Sequence, residues 1–215
     1  ADLVIAIGTR LSVAQIGHAS DLFAPKARKV IVDIDPQEVH KPTVKADVSI
    51  VADAGEFIDA ALGYLAPFTN VLWLTQCRKW KRDYPPTTGK FLGGTEKINS
   101  YRFVDQLASH LDKNAVVLTD VGFCFIPTMQ ALRVKSGQRL IHSAGVSPMG
   151  WAIPASVGAA LAGNGRQVVC LTGDGGAMMN LQELQTIAHL QLPVTIFVYE
   201  NNGYATMKIA QQTHF

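Results

Sequence analysis

The sequence predicts an α/β protein built on doubly wound parallel sheets. Short apolar runs rich in Val, Ile and Leu recur at 3–7, 30–34, 48–51, 115–119, 167–172 and 193–200, and most end at Gly, Asp or Asn. Runs of this length bounded by turn residues read as strands buried on both faces. Stretches with helical spacing separate many of them, which favours parallel neighbours joined by crossovers. The order is plainest over 167–200, where strand, helix and strand follow one another. Parallel strands point the same way, so the polar residues that end them gather on one sheet edge, where open α/β sheets bind ligands.

In the first piece, 1–66, the strands 3–7 and 30–34 read as buried and end at Gly8 and Asp35-Pro36. A loop and helix are expected over 14–23, a third short strand at 48–51, and a helix over 55–65 that carries Phe57, Ile58, Ala61, Leu62 and Leu65 at helical spacing. Gly8-Thr9-Arg10, with Asp33 and Asp35 at the next strand end, stand where a dinucleotide-binding fold would use them, but there is no GxGxxG. Capping and turn formation before Pro36 is the plainer account of the acidic pair. Residues 67–97 read as a linker, with a helix over 72–80, Trp73 and Trp80 as packing anchors, and extended chain at Pro85-Pro86 and Gly93-Gly94.

From 98 to 215 the pattern is regular. A helix over 101–111 places Phe103, Val104, Leu107 and Leu111 on one face, with Ser100 as its cap. The strand 115–119 ends at Asp120-Val121-Gly122, and a short strand follows at 140–142. The helix 153–162 has Pro154 in its first turn and Gly163 after its end. Its Ala155, Gly158, Ala159 and Ala162 make a flat face that admits close approach of a sheet or another subunit. The crossover helix is expected over 180–190, with Asn180 and Glu183 as a capping box.

Composition excludes several classes. The chain has 215 residues, 48% of them hydrophobic, and a net charge of +2 with no basic tract, which argues against nucleic acid. No apolar run approaches the ~20 residues of a membrane span, and the start does not read as a signal peptide. Cys77, Cys124 and Cys170 have no metal-type spacing. Reduced thiols, and hence a cytoplasmic protein, are expected. The chain opens on a strand without Met and closes at 211–215 inside a helical or lid segment, as a fragment of a longer protein or one piece of a processed one would.

The most informative residues are Asp174, in Gly173-Asp174-Gly175-Gly176, and Asn201, in Glu200-Asn201-Asn202-Gly203-Tyr204. A carboxylate and an amide oxygen at neighbouring strand ends, flanked by glycines, suit a hard cation holding a phosphate. Gly173 to Gly176 read as a loop whose glycines let backbone N–H groups approach phosphate oxygens closely. The bland account is turn chemistry at both places, but the joint spacing disfavours it.

This pattern resembles the signature of thiamine-diphosphate enzymes of the acetolactate-synthase-like group, and the first piece resembles the latter part of their Rossmann-like middle domain. The resemblance implies that Asp174, the Asn201 amide and the Gly203 carbonyl hold magnesium; an alternative register uses Asn202 and Tyr204. Gly122 matches a loop that touches the diphosphate, where Phe123 and Cys124 replace polar side chains of some members. Gly145-Val146-Ser147-Pro148-Met149-Gly150 is similar to the loop around the aminopyrimidine. There Met149 matches the wedge under the bent cofactor, with its N–H and the Ser147 carbonyl pairing the ring. Pro148 is a departure that removes a donor. The implied activity is decarboxylation or carboligation of a 2-oxo acid such as pyruvate, in a homodimer or homotetramer. The catalytic glutamate lies in a domain outside this chain, so the fragment alone is expected to be inactive. In some members the middle domain holds FAD. The rival readings are a non-catalytic nucleotide- or FAD-binding module and an inactive relative.

Overall fold

The structure is a computed structural model that describes residues 1–65, 70–87 and 97–215. Gly93-Gly94 and the expected boundary at 66 lie outside the described residues. The chain divides into two compact units, Ala1–Leu74 and Thr75–Phe215.

The first unit holds β1 (Leu3–Ile7), α1 (Val13–Ile16), β2 (Arg28–Asp33), α2 (Pro36–Val39), β3 (Val48–Val51) and α3 (Ala54–Leu62). The strands form a parallel sheet in the order β1-β2-β3. Ala6, Leu11, Ile31 and Val44 form its core. The loop and helix expected over 14–23 take the form of a single helical turn, Val13–Ile16, and a 3-10 turn, Ser20–Leu22, separated by Gly17 at φ 81°. β1 is buried only in part, since Leu3 and Ile5 are 49% and 51% exposed. Asp35 caps α2 by accepting the Gln37 N–H at 2.8 Å, and Asp33 accepts the Asp35 N–H at 3.0 Å. Turn chemistry therefore occupies both carboxylates. The division between the units falls within α4 (Val71–Asp83), which Asn70 caps through the Trp73 N–H at 3.0 Å.

The second unit runs α5 (Ser100–His110), β4 (Val116–Thr119), α6 (Phe125–Ala131), β5 (Arg139–His142), α7 (Ala152–Ala162), β6 (Val168–Gly173), α8 (Asp174–Met179), α9 (Glu183–His189), β7 (Val194–Tyr199) and α10 (Ala205–His214). All four strands are parallel, in the order β5-β4-β6-β7. Alternate residues serve opposite faces, as the pleat requires. Val117, Val169 and Leu171 pack with Leu107 and Leu111 of α5 and with Cys124. Val116, Leu118 and Val168 pack with Ala155, Ala159 and Ala160 of α7, and Cys170 packs with Ala152, Ile153 and Ala177. Both faces are covered, so the sheet is doubly wound.

Three local expectations are corrected. Asn99, not Ser100, caps α5, because its Oδ1 reaches the Tyr101 and Arg102 N–H groups at 3.0 and 3.2 Å while Ser100 is already helical. Gly173 to Gly176 form no open loop: Gly173 is the N-cap and the next three residues are the first turn of α8. The helix expected over 180–190 starts only at Glu183, because the chain breaks at Asn180 (φ −134°, ψ 38°) after α8, and Asn180 does not cap it through its side chain, which binds Gly150 instead. α6 was not foreseen. Its seven residues begin Phe125-Ile126-Pro127 and are too few and too uniformly apolar to show a helical period.

Candidate functional site

The chain leaves β4 for β5 on one side and returns to β6 on the other, so the sheet's switch point lies between the carboxyl ends of β4 and β6. Connections diverge there and leave a crevice. The crevice is a solvent-open cleft whose walls include Gly122, Met149, Gly173, Asp174, Asn201 and Tyr204.

Asp174 opens α8. Its Oδ1 accepts the Gly175 N–H at 2.7 Å, and its Oδ2 accepts the N–H groups of Gly203 at 2.7 Å and Asn201 at 3.3 Å. Burial pushes this carboxyl's pKa up. The three backbone donors and the Lys208 charge outweigh burial and hold it below the usual carboxylate range. The loop after β7 curls round the carboxylate through left-handed residues, with Asn202, Gly203 and Tyr204 at φ 63°, 80° and 45°. Asn201 stands on the cleft wall, whereas the Asn202 N–H turns to Glu200 Oε1 at 2.6 Å.

The glycines have different reasons. A Cβ on Gly175 would meet the Tyr204 ring at 2.8 Å, and one on Gly176 would meet Asp120 Oδ2 at 2.8 Å. Close packing within the protein therefore requires those two. A Cβ on Gly173 or Gly122 would meet nothing within 4 Å, and Gly122 has φ 84°. These two leave free the space that a ligand oxygen would enter.

Asp120 is the side chain that sequence reasoning missed. The sequence marks it only as a strand end, yet it is 2% exposed and accepts from Thr172 Oγ1 and the Gly150 N–H, each at 3.0 Å, and from the Val121 N–H at 2.9 Å. An Asp at a strand end beside a glycine was the available signal. Ser147 is exposed, at φ 53°, and donates its hydroxyl to the Ala144 carbonyl at 3.0 Å, so its side chain turns back on its own loop. Phe123, Ala205 and Thr206 also wall the cleft, and Met207 is 51% exposed. Cys124 is buried, donates to the Val121 carbonyl, and is pushed by desolvation to a pKa of about 11. It is no nucleophile at neutral pH.

Residues 120–215 match the family model for the thiamine pyrophosphate enzyme C-terminal TPP binding domain, and residues 1–61 match the one for the central domain. The chain belongs to the thiamine pyrophosphate enzyme family. It is similar to the acetolactate synthase large subunit of Parasynechococcus marenigrum (strain WH8102), at 36% identity over 219 residues, covering 100% of this chain and 34% of that protein. The acetolactate synthase large subunit of Cyanidium caldarium is 34% identical over 224 residues, covering 100% of this chain and 37% of that protein. Acetolactate synthase isozyme 1 large subunit of Escherichia coli (strain K12) is 32% identical over 203 residues, covering 94% and 35%. The chain thus spans about a third of the length of these curated relatives.

The residues lining the cleft are compatible with a diphosphate held through a divalent cation. Among the described residues no three His, Cys, Asp or Glu side chains gather into a metal cluster. The cleft wall instead carries the Asp174 carboxylate and the Asn201 side chain, with the Gly203 N–H donating to Asp174 Oδ2. Magnesium suits such a set, since it takes one or two carboxylates and completes its shell with phosphate and water. No helix among the described residues is long and apolar enough to cross a membrane.

Proposed function

We propose that the full-length protein carrying this chain uses thiamine diphosphate and magnesium to decarboxylate a 2-oxo acid such as pyruvate, or to join its acyl fragment to a second carbonyl, in the manner of an acetolactate synthase. The observation that carries this reading is the convergence of Asp174, the Asn201–Gly203 loop and Met149 on one cleft at the switch point. When bound, the cofactor supplies a nucleophilic carbon that adds to the 2-oxo group and accepts the electrons left as carbon dioxide departs.

The chain's own residues bind and orient. Asp174, the Asn201 amide oxygen and the Gly203 carbonyl would hold the cation, and Asp174 arrives ionised because backbone N–H groups stabilise its charge. Gly122 and Gly173 would admit the diphosphate, with the Gly176 N–H in the same turn. Met149 would wedge under the cofactor, its N–H and the Ser147 carbonyl facing the pyrimidine. Tyr204 packs its ring on Gly175 and so fixes the cation loop against α8. Phe123 and Thr206 complete the cleft wall.

The test is calorimetric titration of thiamine diphosphate into the full-length protein, with and without magnesium. Saturable binding that requires magnesium and is lost in Asp174→Ala is expected. Equal binding without magnesium, or unchanged binding in Asp174→Ala, would remove the assignment.

A further inference from the structure

Gly150 is held at both ends of its main chain. Its N–H donates to Asp120 Oδ2 at 3.0 Å, and its carbonyl accepts Asn180 Nδ2 at 2.8 Å. The two anchors come from places far apart in sequence, the end of β4 and the interruption between α8 and α9. Each is itself fixed. Asp120 is 2% exposed and also held by Thr172 Oγ1 and the Val121 N–H. The Asn180 amide oxygen accepts Gln182 Nε2 at 3.1 Å, which leaves its Nδ2 facing Gly150. Gly150 sits at φ 78° with no room for a side chain, since a Cβ would lie 2.8 Å from Met179 Cβ and 3.1 Å from the Gly176 carbonyl. The residue before it is Met149, on the cleft wall.

We propose that Asp120 and Asn180 are positioning residues for Met149. Asp120 grips the peptide that joins Met149 to Gly150, and Asn180 grips the next one, so together they set where the Met149 main chain and side chain stand in the cleft. This rests on the cofactor reading above, in which Met149 serves the pyrimidine end of thiamine diphosphate. Asn180 touches nothing at the diphosphate end, at Gly122, Gly173 and Asp174, whereas Asp120 also holds Val121 and Thr172 beside it. The interruption of the crossover helix thereby acquires a purpose: it turns Asn180 toward the Met149 loop.

Two probes separate the two ends in the full-length protein. Magnesium pyrophosphate engages only the diphosphate end, whereas thiamine diphosphate needs both. Asn180→Asp sets a carboxylate oxygen against the Gly150 carbonyl and leaves a buried acceptor without its donor. Thiamine diphosphate affinity should fall roughly tenfold or more, with magnesium pyrophosphate held within about twofold. Asp120→Asn, which keeps the volume and one acceptor oxygen, should weaken thiamine diphosphate roughly three- to tenfold and magnesium pyrophosphate less, because Asp120 also holds the Val121 N–H and Thr172 Oγ1 at the diphosphate end. Equal weakening of both ligands in both variants would mean general damage and overturn the positioning role, as would unchanged thiamine diphosphate affinity. Wild-type protein that takes magnesium pyrophosphate but not thiamine diphosphate, or neither, would instead overturn the cofactor assignment, and this inference with it.

Discussion

Gly150 and Gly122 share a backbone conformation but differ in their surroundings, which makes a pair of alanine substitutions informative. Their φ angles are 78° and 84°. Either alanine must enter a region that L-residues disfavour by about 1–2 kcal/mol. At Gly122 that is the whole effect, because nothing lies within 4 Å of the new Cβ. At Gly150 the Cβ would stand 2.8 Å from Met179 Cβ and 3.1 Å from the Gly176 carbonyl. Neither is the free end of a flexible chain, so forcing the contact adds about 1–3 kcal/mol of overpacking. Gly150→Ala should therefore lose about 2–5 kcal/mol in all and Gly122→Ala about 1–2. The assay is urea unfolding read by proteolysis, with peptides from 100–215 quantified so that only this unit is followed. At a slope near 2 kcal/mol per molar, the two midpoints should differ by about 0.5–1.5 M. Equal midpoints would refute the steric reasoning and leave only the backbone effect.

Met149→Ala should keep thiamine diphosphate affinity, since its main-chain groups remain, while turnover falls roughly 100-fold as the reacting geometry loosens; an unimpaired rate would count against a wedge. Burial pushes the Cys124 and Cys170 thiols from 9.0 to about 11 and about 12, so the fold holds them neutral. Their contribution is complete below the unfolded value and is lost as pH climbs through the folded values, by up to about 3 and 4 kcal/mol. A thiol reagent at pH 8 should label Cys77 and spare the two buried cysteines, and peptide mapping that finds either one labelled in the native state would contradict this. Arg166 donates from Nε to the Asn114 carbonyl and from Nη2 to the Gly137 carbonyl, each at 2.6 Å, at the amino edge of the sheet away from the cleft. Arg166→Met should cost about 1–3 kcal/mol of stability with cofactor affinity unchanged, and a drop in affinity would show that the two edges are coupled.

By itself the sequence determined the parallel strands, the order of most helices, and the gathering of Asp174 and Asn201 at one edge. Those features follow from local rules: an apolar run of strand length, a helical period, and a polar residue where a strand stops. It also placed Met149 beside that edge by resemblance. It did not determine α6, whose seven residues are too short and too uniformly apolar to carry a period. It mistook Asn180 for a cap and overlooked the Asp120 side chain. Both errors have one cause, because the partners that define these residues lie far along the chain: Gly150 is 30 residues from each, and Thr172 is 52 from Asp120. The glycines of the 173–176 turn divide for the same reason. Sequence marked all of them as suited to phosphate, and only the packed structure separated Gly175 and Gly176, which Tyr204 and Asp120 require, from Gly173, which leaves space open. Local chemistry chose the elements and their ends. Which side chain meets which backbone group across the cleft was decided by close packing, which local sequence rules do not specify.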